Sequence, residues 1–451
     1  MSRPTVIVVG GGLAGLAAAL RAADGGAAVT LLEHLPRLGG ATWSATRDGL
    51  TYDNGQHVFM RCCTEYRAFL DRIGSNDKVT LQTRMDVPVL STNGRSAHLR
   101  RVALPAPLHL SPALATYAHL GPLDRLRAVR AALALRRLDL NDTTLDDQSF
   151  ADWLTDRGAS SAAIDALWDL VCLPTVNLHA ADASLLLATK VFRTGLLDTA
   201  DGADIGWAKV PLQKLHGDAA ARALAATGVT VRLSARVQAI RGDRTGITVK
   251  LADESLTADA AIVAVPHDVV GRMLPEGSFE QHHSLSELGR SPIVNVHLLY
   301  DRKVLDQPFV AGLQSPVQFA FDRTASSGAP AGTQMVAISL SAATEYMSWS
   351  RQQLVDHFTT ELSRLLPSAL GARVTWSMVT REAAATFRGA PGSTRHRAQT
   401  ATRLPGVFLA GAWTDTGWPA TMEGAVRSGN HAAAAVGQFV SSDAVREGAA
   451  A

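Results

Sequence analysis

The residues whose types and spacing most clearly imply chemistry are Gly10-Gly11-Gly12-Leu13-Ala14-Gly15, followed by Glu33, 21 residues beyond Gly12. In such a loop Gly10 permits a tight turn and Gly12 lets the backbone approach a pyrophosphate closely. Gly15 lets the following helix pack against the strand. Amide groups and the dipole at the helix start then receive anionic phosphate. A carboxylate at the position of Glu33 accepts hydrogen bonds from a ribose hydroxyl pair and repels a 2′-phosphate. The elements that must position these groups are also legible. Val6 to Val9 is apolar throughout, as in a parallel strand buried on both faces. Leu16 to Ala23 reads as helix, and Ala28 to Leu32 as a second strand ending at the acid. A lone GxGxxG says little; strand, loop, helix, strand and terminal acid in order identify a dinucleotide-binding unit.

Two further stretches bear on which dinucleotide is held. "LPRLGG", Leu35 to Gly40, follows directly on the acid. An NAD site has no particular need of a second glycine pair there. FAD enzymes of the glutathione-reductase type often carry one, where the chain passes beside pyrophosphate and flavin. Near the carboxyl end, "VFLAGAWTDTGWPATMEGAVRSGNHAAAAV" reads as a strand (Val407 to Ala410), a glycine turn, a loop, and a helix from about Thr421. A helix start aimed at the N1/C2-oxygen side of the ring would stabilise the negative charge of reduced flavin.

Together these segments resemble the flavin amine oxidase and phytoene desaturase superfamily. The resemblance is closest to its squalene-associated branch, the hydroxysqualene dehydroxylases of hopanoid biosynthesis. It is carried by "DNGQHVF" (Asp53 to Phe59), "LPAPLHL" (Leu104 to Leu110), "LWDLVCLPTVNLHAADAS" (Leu167 to Ser184) and "TDTGWPATMEGAVRSG" (Thr414 to Gly429), within a likeness running from about residue 4 to 437. It implies FAD contacts from Gly10, Gly12, Leu13, Ala14, Gly15, Glu33, Arg37, Gly39, Gly40, Gly55, Gln56 and His57. "RVQAI" resembles the strand whose backbone, at Val237, meets the adenine. Gly411, Thr421, Met422 and Ala425 would meet the ribityl chain and ring. Two positions depart from the pattern: Ala41 stands where Arg is common, and Ala412 where an acid is usual. Asp415 is the nearest acid that could replace the latter as a ribityl ligand.

The resemblance implies that hydroxysqualene is the substrate and squalene the product. Hydroxide leaves poorly, so the reaction needs an acid to protonate the allylic oxygen before hydride arrives from the flavin. Asp53, His57 and Glu423 lie in the motifs expected near the ring and are the candidate donors. Each also has a plain reading: Asp53 and His57 would hold the turn, and Glu423 the helix start. The run "AVPHDVVGRML" has no glycine cluster for a second pyrophosphate. NADPH, if it is the reductant, is therefore expected to bind transiently, or a reductase partner supplies the electrons.

The fold class that follows is α/β: a discontinuous Rossmann-like FAD-binding domain of the glutathione-reductase type with an α+β substrate domain. The FAD-binding pieces are 1–83, 206–275 and 400–440, and the substrate pieces are 84–205, of helical tendency, and 276–399. "SPIVNVHLLYD" and "QMVAISLS" in the latter suit a sheet roofing the flavin. Residues 441–451 read as a flexible tail. Hydrophobic residues form 47% of the 451-residue chain, charged residues 19%, and net charge is +2, which suits a folded globular protein with no electrostatic bias toward nucleic acid. Cys62, Cys63 and Cys172 form no CxxC, so neither a disulfide framework nor a metal site is expected, and the setting is a reducing cytoplasm. Thr5 to Leu20 is too short and too glycine-rich for a membrane span.

Leu104 to Leu140 supports two readings. Leu123, Leu126, Val129, Leu133 and Leu135 form an apolar stripe beside Arg125, Arg127, Arg130, Arg136 and Arg137. This is either a helix on the inner face of the cell membrane, with snorkelling arginines, or an amphipathic helix capping a core. Three rival functions share parts of this pattern. A carotenoid-type desaturase or isomerase needs the same FAD and long apolar tunnel. An amine oxidase would carry a lysine on the strand where this chain has Asn295. A non-catalytic prenyl-binding escort would not need an intact flavin motif.

Overall fold

The computed structural model describes residues 3–243 and 246–450, with side chains described as far as residue 442. Of the tail expected at 441–451, residues 441–450 form the end of the helix Met422–Ala450, and residue 451 lies outside the described residues. The architecture is α/β, with a parallel sheet and a mixed sheet.

Five parallel strands lie in the spatial order Thr230–Arg232, Ala28–Leu32, Thr5–Val9, Ala260–Val263, Val407–Leu409. The unbroken apolar runs explain their central position, because a strand covered on both faces has no polar side. Val6 and Val8 face one core with Leu16, Leu20, Leu224 and Val426. Ile7 and Val9 face the other, with Ile240, Ile247 and Val249 of an antiparallel three-stranded sheet. Register aligns the carboxyl ends: Val9 pairs with both Leu32 and Val263, and Val263 with Leu409. The loops leaving those ends, carrying Gly10–Gly12, Glu33 and Gly411, therefore share one edge, where open α/β sheets place their ligands. The helix Met422–Ala450 lies directly on Leu13–Asp24. A Cβ on Gly429 would sit 2.1 Å from the Ala14 carbonyl oxygen, so only glycine permits this crossing.

The second sheet has seven strands, in the order Val374–Thr386, Ser291–Tyr300, Gln334–Leu340, Phe319–Asp322, Phe309–Leu313, Asp86–Ser91, Ser96–Arg100. Ser291–Tyr300 is buried along almost its whole length between two antiparallel neighbours. The helix Arg351–Leu365, started by a Ser350/Gln353 capping box, covers one face of this sheet. The segment 84–205, read as helical, also supplies the two strands at the far edge, Asp86–Ser91 and Ser96–Arg100. Its helices include Pro122–Leu135, in which Ala128, Ala131 and Leu135 turn inward. Leu123, Leu126, Val129 and Leu133 instead face outward, 41–58% exposed, and Leu104 and Leu108 are exposed beside them in sequence. Thus Leu135 leaves the apolar stripe it was read into, and the core-capping face is built mainly from alanine. No helix is long and apolar enough to cross a membrane among the described residues.

Candidate functional site

The glycine loop is held by close backbone contact at its two ends. A Cβ on Gly10 would lie 2.3 Å from Ala264 O, and one on Gly15 would lie 1.9 Å from Gly10 O. Gly12 differs. Its backbone is ordinary (φ −77°, ψ 177°), and a Cβ there would meet only Gly40 Cα, at 3.8 Å. Nothing in the protein demands glycine at 12; the space over it is open.

Glu33 is almost fully buried and turned toward this loop. Its Oε2 accepts from Gly11 N (2.6 Å) and its Oε1 from Leu35 N (2.7 Å), leaving further lone pairs for a diol. Gly39 N donates to Gly11 O, and a Cβ on Gly40 would press on Gly12 Cα, so the second glycine pair abuts the first loop. Arg37 Nη1 donates to Gly40 O at 3.0 Å while its guanidinium lies over the Trp43 ring. That puts a cation beside the pair although Ala41 replaces the usual arginine. Val237 is buried but not in a strand, which begins at Ala239. The chain before it instead follows Glu33, with Ala235 N donating to Glu33 O.

The three candidate acids occupy different surroundings. Asp53 is buried and saturated: Oδ1 accepts from Ser44 Oγ and Leu212 N, and Oδ2 forms an ion pair with Arg323 at 2.9 Å. It joins the loop to the segment entering the helix Leu212–Leu215 and to the mixed sheet. His57 Nδ1 lies 3.2 Å from the Gly55 carbonyl and so carries the hydrogen; burial pushes the imidazole pKa down, leaving the ring neutral near pH 7. Glu423 is buried at the start of the last helix. Its Oε1 takes Arg427 Nε at 2.6 Å, and its oxygens accept from the amides of Glu65 and Tyr66. It thereby stitches two helix starts together, those of Met422–Ala450 and Thr64–Arg72.

The carboxyl-terminal loop closes the same edge. Gly411, at φ +141°, donates its amide to Ser428 Oγ, and Trp413 Nε1 donates to Val265 O beside Gly10's neighbour Ala264. Thr421 Oγ1 accepts from Gly424 N and caps the helix that carries Met422 and Ala425, both half-buried. The Asp415 carboxylate accepts from Gln399 Nε2 and Gly417 N. Sequence reasoning missed Arg397, a fully buried guanidinium that donates to the carbonyls of Ala412, Trp413 and Thr414. Burial lowers its pKa to about 10, so it stays charged and holds this loop by its carbonyls. No motif signals it.

Over the other side stands the edge of the mixed sheet. Asn295 is fully buried against Gly55, where a Cβ would lie 3.2 Å from Asn295 Nδ2; that amide donates to Asn54 O. Thr380, its register partner on the next strand, donates to the same carbonyl. Glu382, two residues on, accepts from Trp43 Nε1 (3.2 Å) and Asn54 Nδ2 (3.1 Å), both on Oε1. The sequence marks neither Thr380 nor Glu382, since only strand pairing brings them to the loop 53–57.

Flavin adenine dinucleotide suits this arrangement on two counts. The open space over Gly12 is a cradle that a Cβ there would narrow. Buried Gln56 Nε2 and Asn295 Oδ1 have no partner among the described residues, an unfilled donor and an unfilled acceptor of the kind a polar ring edge completes.

The comparisons agree on the class. The family described as flavin containing amine oxidoreductase matches residues 13–437. Zeta-carotene desaturase of Arabidopsis thaliana is 25% identical over 95% of this chain and 84% of its own. The Synechocystis zeta-carotene desaturase is 26% identical over 96% of each, and the Capsicum annuum 15-cis-phytoene desaturase 26% identical over 97% of this chain and 79% of its own. Putrescine oxidase (TM-score 0.73, 19% identity, 96% and 99% coverage) and cyclohexylamine oxidase of Brevibacterium oxydans (0.70, 21%, 98% and 100%) share the fold. With a match across nearly its whole length, this chain belongs to the flavin-containing amine oxidoreductase family, an FAD-dependent oxidoreductase family that includes carotenoid desaturases among its relatives.

Proposed function

We propose that the chain acts on a long, apolar isoprenoid, reductively removing the allylic hydroxyl of hydroxysqualene to give squalene. The observation that supports a lipid substrate most directly is the set of outward apolar side chains at Leu104, Leu108, Leu123, Leu126, Val129 and Leu133. Asn295 argues in the same direction, because it replaces the lysine expected of an amine oxidase. The motifs "DNGQHVF" and "TDTGWPATMEGAVRSG" point to the squalene-associated branch.

In this reading the backbone of Gly10–Gly15 and Gly39–Gly40 receives the diphosphate, and Glu33 the ribose diol. Gly411, Thr421, Met422 and Ala425 border the ring, with Gly55, Gln56 and His57 opposite. Reduced FAD supplies hydride. The protein excludes water, aligns the allylic carbon, and delivers one proton to the oxygen. The C–O bond breaks, water leaves, and a C–H bond forms with the hydride. A nicotinamide nucleotide bound transiently, or a reductase, returns two electrons. The leucine face rests on the inner surface of the cell membrane, where such substrates reside.

A second reading is favoured by the curated relatives: desaturation of a carotenoid-like chain, with hydride and proton leaving the substrate instead. Anaerobic incubation of the photoreduced holoenzyme with hydroxysqualene separates the two. Squalene is the expected product. Absence of squalene, together with conversion of phytoene by the oxidised enzyme, would replace the first reading by the second.

A further inference from the structure

We propose that Glu382 is the group that delivers the proton to the departing hydroxyl, an inference that rests on the dehydroxylation reading. The three acids suggested by motif are already committed. Both Asp53 oxygens are bound, one of them by Arg323; both Glu423 oxygens are bound, one of them by Arg427. His57 spends its only hydrogen on Gly55 O when neutral, and burial disfavours a second. Glu382 differs from all of them. Trp43 Nε1 and Asn54 Nδ2 fix Oε1, while Oε2 has no hydrogen-bond partner among the described residues and the side chain is half-buried. One oxygen is held and one is open, which suits a carboxyl group that must exchange a proton in a fixed position.

Its location is set by topology. Val374–Thr386 pairs with Ser291–Tyr300 so that Ile293 faces Glu382 and Asn295 faces Thr380. Asn295 and Thr380 both bind Asn54 O, and Asn54 in turn binds Glu382, so one asparagine ties this strand edge to the turn at Gly55. The charged and titratable groups facing Glu382 are Arg37, beside the second glycine pair, and His57. The carboxyl thus stands among residues expected to border the ring. In the step, Glu382 in its protonated form gives the Oε2 proton to the allylic oxygen, the C–O bond breaks, and water departs. Reduced flavin, when bound, would supply the hydride for the C–H bond, and the carboxylate regains its proton from solvent.

The test compares Glu382→Gln and Glu382→Asp holoenzymes with hydroxysqualene and with its acetate ester, whose leaving group needs no proton. Glu382→Gln is expected to lose at least about 100-fold in squalene formation from the alcohol, the lower range for general-acid catalysis. It should keep turnover of the ester, and Glu382→Asp should recover part of the alcohol reaction. FAD titration of the apoproteins, read by flavin fluorescence, should give the same affinity for both variants and the parent. Equal activity of parent and Glu382→Gln on the alcohol overturns the proposal, as does equal loss on both substrates or loss of FAD affinity. A parent enzyme that makes no squalene at all overturns the dehydroxylation reading instead.

Discussion

In the first glycine loop Gly10 and Gly15 are dictated by backbone contact, whereas along 104–133 only polarity and shape are constrained. Gly10, Gly15 and Gly429 each face a carbonyl that a Cβ would strike at 2.3 Å or less. The outward Leu123, Leu126 and Leu133 of Pro122–Leu135 are 42–58% exposed, and any apolar side chain would serve there. A cofactor with fixed atoms imposes a fixed loop, while a hydrocarbon chain imposes only a greasy surface. The difference can be attacked from both ends.

The largest effect is expected within the loop itself. Gly15→Val would place its Cβ 1.9 Å from the Gly10 carbonyl oxygen, a backbone clash, and should cost more than the roughly 1–3 kcal/mol of ordinary overpacking, so that little folded protein forms. Gly12→Val should behave oppositely. Its backbone is already compatible with any residue, so the apoprotein should lose no more than about 1 kcal/mol, the scale of an altered helix cap. FAD binding should nevertheless vanish. Thermal denaturation of the apoproteins with a parallel FAD titration checks both. A Gly12→Val protein that still retains flavin would mean that the open space over this residue is not the cradle.

This pair also shows why one half of the molecule was readable in advance. The strands Ala28–Leu32 and Thr5–Val9, the helix after them, and Glu33 follow from local pattern, because each signal is contiguous in sequence. The region over the ring is assembled from pieces far apart. Asn54 meets Glu382 across 328 residues, and Asp53 meets Arg323 across 270. No spacing rule reaches that far. Asp53 could be placed near the ring by its motif, but its saturation by Ser44, Leu212 and Arg323 depends on the tertiary fold. Leu135 was misplaced because it follows Leu133 by only two residues, about 200° around a helix, which puts it on the face opposite Leu126 and Leu133.

Buried histidines give a smaller effect and ask whether the two halves unfold together. His216 lies in the dinucleotide half with Nε2 2.7 Å from Tyr66 Oη; His297 lies on Ser291–Tyr300 in the other sheet. Burial lowers their pKa values to about 3 and about 4. Both are then neutral when folded, while the unfolded chain protonates near pH 6.5. The unfolded state binds more protons below that point, so each histidine's stabilisation is complete above about pH 6.5 and is lost as pH falls toward its folded pKa. Each contributes a slope of about 1.4 kcal/mol per pH unit between roughly pH 6 and 4.5. Replacing either with Asn should flatten denaturant-derived stability over that window by that amount. If one cooperative transition reports both changes, the halves form one unit; two transitions, each sensitive to one histidine, would show that they unfold separately.

The smallest effect on stability, and the sharpest contrast with the loop, is expected on the leucine face. Leu126 and Leu133 are 48% and 42% exposed, so Leu126→Glu with Leu133→Glu should change folding stability by no more than about 0.5 kcal/mol per site. Their effect should fall on the membrane. Among the flanking arginines, Arg125 is spent on the carbonyls of Ala115 and Tyr117, and Arg127 on Asp124. Arg130 and Arg137 are exposed and make no ion pair among the described residues, and a cation at an anionic surface is worth about 1 kcal/mol. The parent protein should therefore sediment with anionic vesicles at low salt and progressively less as salt screens those charges. The double variant should remain in the supernatant with its FAD content intact. A parent protein that fails to sediment removes the membrane from the proposal. One that sediments equally well after both substitutions moves the contact elsewhere on the surface.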